Sequence, residues 1–405
     1  MIDKFLFTYI LKNFIKPQDN RFDTNDMTAD EWEELMKFSM KHSVLPIIYD
    51  WAWKEPSYQK LPEEMRLYYK KISKKIIIGQ MFTTANFLEL YKKINEEGIK
   101  VLVIKGIILR ELYSQPDYRV SGDEDLLIRK CDFKKVDELF KKEGMVRENL
   151  EHPEEQHEIT YHHPSKGLRI ELHLSLFPEG SKEYGQLNQY FQNVFDDAVQ
   201  EEIQKVNIWT LDETHHMLYL FCHGLKHFLH SGFGIRQLCD MVVFAEKYGE
   251  KIHWNEMIKI AKKENMYVFI MNLLDIGERY LGFSWERSKL KKPTNIVLDS
   301  EQLLDDILDA GIYGKDDLER LHSSTITLQA VNNKDGKKRV SQSLFPDYEY
   351  MCRQYPYLER YKILLPYAWG CRIIDYVRKT DRKTVKDTLN IGNKRVELLK
   401  KYNII

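Results

Sequence analysis

Residues 101–128 read VLVIKGIILRELYSQPDYRVSGDEDLLI. The apolar run Val101 to Ile104 meets Lys105-Gly106, a helical stretch and a polar loop follow, and Asp123-Glu124-Asp125 then runs straight into Leu126-Leu127-Ile128. Carboxylates at the mouth of a buried strand are costly to desolvate unless something binds them, and a divalent cation is the usual binder. Asp123 and Asp125 stand two residues apart, so on a strand both side chains leave the same face.

Upstream, residues 1–97 read as helical and as a structural cap. The first twenty carry only a short apolar run, interrupted by Lys4 and Lys12, and read as an amphipathic helix. Thr28-Ala-Asp-Glu31 spells a capping box, in which Thr28 accepts from the third helical N–H and Glu31 reaches back. Pro46 interrupts the helix that follows. Pro62 opens a second, long helix with a stripe of Met65, Tyr68, Tyr69, Ile72, Ile76, Ile77, Met81 and Phe82, running to about Glu97 before Gly98.

Downstream of residue 98 the pattern changes. Strands are expected at 100–104 and 123–128, a short helix at 107–113, a loop at 114–122 and a helix from Cys131 to Lys142 that Gly144 ends. The segments QHEITYH (156–162) and LRIELHL (168–174) read as a hairpin across Pro164-Ser165-Lys166-Gly167. In the second of these, Leu168, Ile170, Leu172 and Leu174 face one way and Arg169, Glu171 and His173 the other. Residues 204–210 make one more strand. From 212 the chain is helical again. Asp212 caps a helix through Leu229, broken by Gly232 and Gly234, and further helices are expected at 235–247, 253–265, 266–281 and 367–378. Residues 312–345 read as a polar loop, with NNKDGKKR at 332–339 as a turn or insert. The expected fold class is therefore α+β: a small mixed sheet at 98–210 flanked by helical regions at 1–97 and 211–405.

A chain of 405 residues can hold two or three domains. Its 43% hydrophobic and 30% charged residues are ordinary for a globular protein. Lys+Arg number 61 and Asp+Glu 62, so there is no global attraction to a membrane and no indication of DNA as a partner. The five cysteines, Cys131, Cys222, Cys239, Cys352 and Cys371, form no CxxC pair and suit a reducing compartment. With no signal-peptide pattern and no 18-residue apolar run, the expected location is cytoplasmic.

Glu171 lies on the polar face of its strand. If that strand neighbours the acidic one, three carboxylates converge, a set of oxygen donors that suits Mg²⁺, with Mn²⁺ as the alternative. Two such ions about 3.5–4 Å apart can stabilise both the attacking and leaving oxygens of a displacement. The Lys105-Gly106 turn precedes a helix, whose N–H groups and dipole favour an anion, and glycine lets a phosphate approach the backbone. A phosphate cradle followed by a metal-binding acidic strand describes phosphoryl or nucleotidyl transfer.

The order of strand, Gly-containing turn, helix, Asp-x-Asp strand and later strand carboxylate resembles the DNA polymerase β nucleotidyltransferase superfamily. The text IKGIILRELYSQPDYRVSGDEDLLIRKCDFKKVDELFKKEGM and the downstream HGLKHFLHSGFGIRQLCDMVVFAEK are similar to a family of uncharacterised nucleotidyltransferases, over about residues 30–290. The resemblance implies Asp123 and Asp125 as metal ligands, Gly106 at the nucleotide phosphates, Arg119 near the site and Glu171 as the third carboxylate. Two departures stand out. The superfamily turn is usually Gly-Ser or Gly-Gly, and here Ile107 follows Gly106, so Lys105 or backbone N–H groups must serve in place of a hydroxyl. The residue between the two aspartates is normally apolar, and here Glu124 needs a partner or an edge position.

Other polar residues have two readings each. Arg119 pairs with phosphate or with Asp117 or Asp123. His173 orients a ligand or is a satisfied histidine. His223 and His227, at i and i+4, have a spacing that can bind zinc, but HGLKH lacks the Glu that follows the first His in HExxH. The simpler reading of His223, Lys226, His227 and His230 is one polar helix face, from which Lys226 and His227 contact nucleotide or acceptor. Arg236 and Asp240, one turn apart, read as an ion pair. The expected activity is transfer of a nucleoside monophosphate from an NTP to an unidentified acceptor with release of pyrophosphate. A small-molecule acceptor is preferred, with RNA or protein left open. The rivals are a catalytically silent nucleotide-binding module and a zinc hydrolase using the 223–230 histidines.

Overall fold

The acidic strand sits in the middle of a seven-stranded mixed sheet. In chain order the strands are β1 (Leu102–Val103), β2 (Glu124–Leu127), β3 (Val146–Arg147), β4 (Glu158–His162), β5 (Arg169–His173), β6 (Val199–Ile203) and β7 (Val206–Thr210), and across the sheet they run β3-β4-β5-β2-β1-β7-β6. The computed structural model describes residues 4–17, 22–150, 152–230, 232–311, 326–328, 330–331, 348, 351–352, 355, 357–379 and 382–405.

The expected hairpin is present as the antiparallel β4–β5 pair. Strand β2 pairs parallel with β5 and antiparallel with β1, and β1 pairs parallel with β7. Two strands were not anticipated. The first, β3, is only two residues long. The other, β6, joins β7 through Gln204-Lys205, both at positive φ (47° and 67°). That is the mirror-image turn a tight hairpin requires, made here without the Gly or Asn that would announce it. Buried β2 and β5 residues (Leu126, Ile170, Leu172) pack with Phe133, Val136 and Phe140 of the helix after β2 and with Phe87, Tyr91 and Ile94 of the long helix before β1. Each such side chain contributes about 1.5–3 kcal/mol on burial.

Five helices precede the sheet: α1 (Lys4–Ile15), α2 (Ala29–Lys41), α3 (Leu45–Ala52), α4 (Pro56–Gln59) and α5 (Glu63–Glu96). The Thr28–Glu31 capping box forms in both directions at the start of α2. Pro46 does not interrupt that helix. Helix α2 ends at Lys41, and Pro46 lies in the first turn of α3, where no N–H is needed. The apolar stripe expected on α5 holds only in part. Tyr69 is buried, whereas Tyr68, Met81 and Phe82 are exposed, and the buried positions of the middle turns are Ser73, Gln80 and Thr84. This helix turns a polar edge inward because it holds the 114–122 loop: Gln80 Oε1 accepts from the Ser121 N–H at 2.8 Å.

Helices α6 (Ile107–Arg110) and α7 (Phe133–Lys142) flank β2 in sequence, and Gly144 ends α7 at φ 83°. After the sheet come α8 (Glu213–His230), α9 (Ile235–Tyr248), α10 (Trp254–Lys263) and α11 (Tyr267–Ile276), the last running into a π-turn over Gly277–Leu281. Then follow α12 (Glu301–Ala310), α13 (Tyr357–Arg360), α14 (Leu365–Lys379) and α15 (Arg382–Lys401). Asp212 caps α8 by accepting from the Thr214 and His215 N–H groups. Of the expected polar loop at 312–345, only 326–328, 330 and 331 are described, and they are helical; NNKDGKKR lies outside the described residues.

Two compact units are distinguished. The first comprises Met1–His223, Ile235–Lys259 and Leu273–Leu298, and carries the sheet. The second comprises Gly224–Gly234, Ile260–Asn272 and Asp299–Ile405. In the second, buried Arg395 donates to the Phe228 and His230 carbonyls at the end of α8, 2.8 Å from the latter. It thereby satisfies acceptors that a helix C-terminus leaves open. No helix among the described residues is long and apolar enough to cross a membrane.

The capping box gives a direct check on the N-terminal region. Thr28→Ala should lower stability by about 1 kcal/mol, read as a reduced urea midpoint at unchanged slope.

Candidate functional site

Parallel pairing of β2 with β5 sets Asp125 directly beside Glu171 and Leu127 beside His173. Asp125 and His173 are almost wholly buried, at 1% and 3% exposure, and Glu171 is half-buried. One carboxylate oxygen from each acid and one imidazole nitrogen lie within 4.8 Å of one another, which makes this the one such group of three potential metal ligands among the described residues. Asp123 stands half-buried at the strand mouth, outside that tight group, but its charge reaches Glu171.

Lys105 approaches from the β1 side. Its Nζ lies 3.0 Å from both Asp125 oxygens, donating to Oδ1, and 3.3 Å from His223 Nε2. Burial raises the Asp125 carboxyl pKa, but Lys105 and His173 together hold it below the usual carboxylate range. Glu171 goes the other way. Burial, and then the charges of Asp125 and Asp123, push its pKa up to about 8. Three buried polar atoms converge here without a hydrogen-bond partner: Asp125 Oδ2, His173 Nδ1 and the Tyr219 hydroxyl. Tyr219 lies within reach of the Lys105, Asp125 and Glu171 charges, and its ring packs 5.4 Å from that of His223. Neither Tyr219 nor Glu158, which faces His173 at 3.8 Å, was legible as a site residue. The only available signal was the helical spacing of Tyr219 and His223, four apart on the polar face.

These residues fit a divalent cation. Two carboxylates crowd together with one ammonium against Asp125, one of their buried oxygens accepts no hydrogen bond, and burial and the neighbouring acids raise the pKa of the second acid. A cation supplies what each lacks.

On the other face of β2 an internal carboxylate engages the turn at Gly106. Glu124, 1% exposed, turns away from Asp125 and into the interior. There it accepts from the Ile107 N–H at 2.8 Å and from Arg110 at 2.5 Å. Burial raises its pKa, with Arg110 and the Ile107 N–H acting in opposition. The first N–H of α6 is thus taken by an internal carboxylate. Gly106 is required for two local reasons: its φ is +57°, and a Cβ would meet Glu124 Oε2 at 1.9 Å. No hydroxyl follows Gly106 because Ile107 is fully buried there.

Arg119 is not placed at the acidic cluster. Its guanidinium grips Asp240 in a fork, Nε to Oδ1 at 3.0 Å and Nη2 to Oδ2 at 2.6 Å, and Tyr113 donates to the same Oδ1 at 2.8 Å. This also replaces the expected Arg236–Asp240 pair, since Arg236 donates to the Val120 carbonyl. Tyr113, Arg119 and Val120 thus tie the 114–122 loop to α9. His223 belongs to the first unit, beside Lys105; Lys226 and His227, half-buried, lie further along α8 in the second unit. The His223–His227 pair is part of no three-ligand group among the described residues.

A mixed sheet with an acidic strand beside a strand carboxylate, opened by a Lys-Gly turn onto a helix, defines the class of nucleotidyltransferases. A family model described as uncharacterised nucleotidyltransferase matches residues 28–282, well over half of the chain, and the chain belongs to that family. Membership implies a nucleoside triphosphate as substrate. Neither the curated proteins nor the solved structures contain a match.

The Glu124 clamp is testable by stability. Arg110→Leu leaves a buried carboxylate without its counter-charge and should cost about 3–5 kcal/mol, much of it recovered in Arg110→Leu/Glu124→Leu. Gly106→Ala should destabilise by the collision with Glu124 in addition to about 1–3 kcal/mol of backbone strain. Introduced into a Glu124→Ala background, Gly106→Ala should cost only the strain, as read by urea denaturation.

Proposed function

We propose that the chain transfers a nucleoside monophosphate from an NTP to an acceptor hydroxyl or phosphate, in a reaction that depends on a divalent cation held by Asp125, Glu171 and Asp123. The observation that carries this reading is the register of β2 on β5, which sets Asp125 against Glu171 and brings an oxygen of each within 4.8 Å of His173. The acceptor oxygen forms its bond to the α-phosphorus. The bond from that phosphorus to the bridging oxygen breaks, and pyrophosphate leaves with the electron pair. The acceptor's proton goes to Glu171 acting as general base. Lys105, poised over Asp125 in a site with little water, offers positive charge to the phosphates. A bound divalent cation would neutralise charge on the triphosphate and on the leaving pyrophosphate. The balanced net charge favours a small-molecule acceptor over RNA or protein.

A second reading draws on Glu124. With the Ile107 N–H already engaged, the turn grips a phosphate less firmly than a free helix start would. A nucleotide-binding module without turnover would share this geometry.

A pyrophosphate-release screen of four NTPs against mixed acceptors, followed by mass spectrometry of whatever gains a nucleotide, separates the two. Transfer should require Mg²⁺ or Mn²⁺ and stop with chelator. Asp125→Asn should reduce turnover by about 10²–10³-fold or more while keeping a cooperative thermal transition. Undiminished transfer by Asp125→Asn would sink the proposal. NTP binding with no pyrophosphate from any combination would favour the silent module.

A further inference from the structure

His173 lies between two carboxylates. Its Nε2 is 3.4 Å from Asp125 Oδ1, and its Nδ1 is 3.8 Å from Glu158 Oε2. The β4–β5 pairing sets Glu158 directly across from His173, and the β2–β5 pairing brings Asp125 to its other side. At 3% exposure the ring is shut off from water, and Nδ1 makes no hydrogen bond.

A neutral imidazole carries one N–H and one lone pair. Here Nε2 is within hydrogen-bond distance of Asp125 Oδ1, while Nδ1, facing Glu158, has no hydrogen-bond partner. One imidazole nitrogen and one oxygen each from Asp125 and Glu171 lie within 4.8 Å of one another, close enough to hold a single cation. The resulting arrangement, with a carboxylate behind the imidazole and the metal in front, is the one in which metal-bound histidines are commonly found. Resting on the metal-dependent reading of this site, we infer that His173 is itself a metal ligand through Nε2, oriented by Glu158, and that it makes the site selective for Mn²⁺ over Mg²⁺.

The selectivity follows from donor chemistry. Mg²⁺ prefers oxygen ligands and retains several waters. Imidazole favours first-row transition ions, and a set of two carboxylates with one imidazole retains enough oxygen character for Mn²⁺. Neither the Asp-x-Asp spacing nor the third carboxylate predicts that preference, which comes from the one residue two positions beyond Glu171.

The test is Mn²⁺ binding by the full chain without nucleotide, followed by the electron paramagnetic resonance of the free ion, with Mg²⁺ as competitor. The native chain should bind Mn²⁺ at least about 10-fold more tightly than Mg²⁺. His173→Gln should weaken Mn²⁺ by about 10- to 100-fold and leave Mg²⁺ competition within about threefold, and Glu158→Gln should weaken Mn²⁺ by about 10-fold. Electron spin echo modulation from an imidazole nitrogen should be present for Mn²⁺ on the native chain and absent in His173→Gln. The echo on the native chain decides the matter alone if the variants do not fold. Equal affinity for the two ions, no bound Mn²⁺, or native Mn²⁺ without the nitrogen signal would each overturn the inference. In the no-Mn²⁺ case, a doubly protonated His173 bridging the two carboxylates becomes the account. Binding is read apart from turnover. Mn²⁺ held through His173 with no nucleotide transfer would overturn the proposed reaction alone, and Mg²⁺-driven transfer indifferent to His173 would overturn this inference alone.

Discussion

The structure turns on the parallel pairing of β2 with β5. One register sets Asp125 opposite Glu171, and a slip of one residue would send every side chain of one strand to the other face of the sheet. Register is fixed from both sides. Leu126, Ile170 and Leu172 are fully buried in the core, so the apolar faces leave no freedom, and the β4–β5 hairpin holds β5 from its far edge. The acidic cluster is therefore a by-product of core packing: what makes the sheet stable also forces like charges together on its polar face. Lys105 and His173 meet part of that repulsion and the raised pKa of Glu171 another part, and the crowding of acids at one place is the physical basis for reading the cluster as a site.

Much of this was legible in the sequence because it depends on local rules. The alternation in LRIELHL assigned Glu171 and His173 to one face, the capping box at Thr28 gave a helix start, and Asp212 gave another. Glu124 was legible as a problem, an acid where an apolar residue belongs, but its solution was not. Arg110, fourteen residues earlier on a four-residue helix, cannot be matched to it without knowing how α6 lies on β2. Arg119 failed for the same reason: Asp240 is 121 residues away. The β6–β7 turn was silent because Gln204 and Lys205 adopt positive φ without a residue type that favours it. The α5 stripe misled because periodicity records which side of a helix is apolar, whereas the helix here also serves a loop that needs the Gln80 amide.

The two faces of β2 solve the same electrostatic problem in opposite ways. On the inner face Glu124 is completed by Arg110 and the Ile107 N–H, all within the fold. Such a pair is costly to break from one side and contributes little beyond fixing one arrangement. It does fix one: the carboxylate leaves room for nothing larger than glycine at position 106 and holds the start of α6. On the outer face Asp125 has Lys105, a single flexible ammonium, for a cluster that also includes Glu171 and Asp123. The inner face is closed and the outer face is short of positive charge.

That difference locates the chemistry. Glu124 takes the first N–H of α6, so the Lys-Gly turn braces the start of that helix, and under the proposed function Lys105 supplies the positive charge for the phosphates. The side chain best placed to move is then Lys105, which is 12% exposed while Asp125 is 1% exposed. A cation held by Asp125 would supply the charge that Lys105 now supplies, and the ammonium would then be available to the phosphates, so that under the proposed function one lysine would serve both the aspartate and the nucleotide.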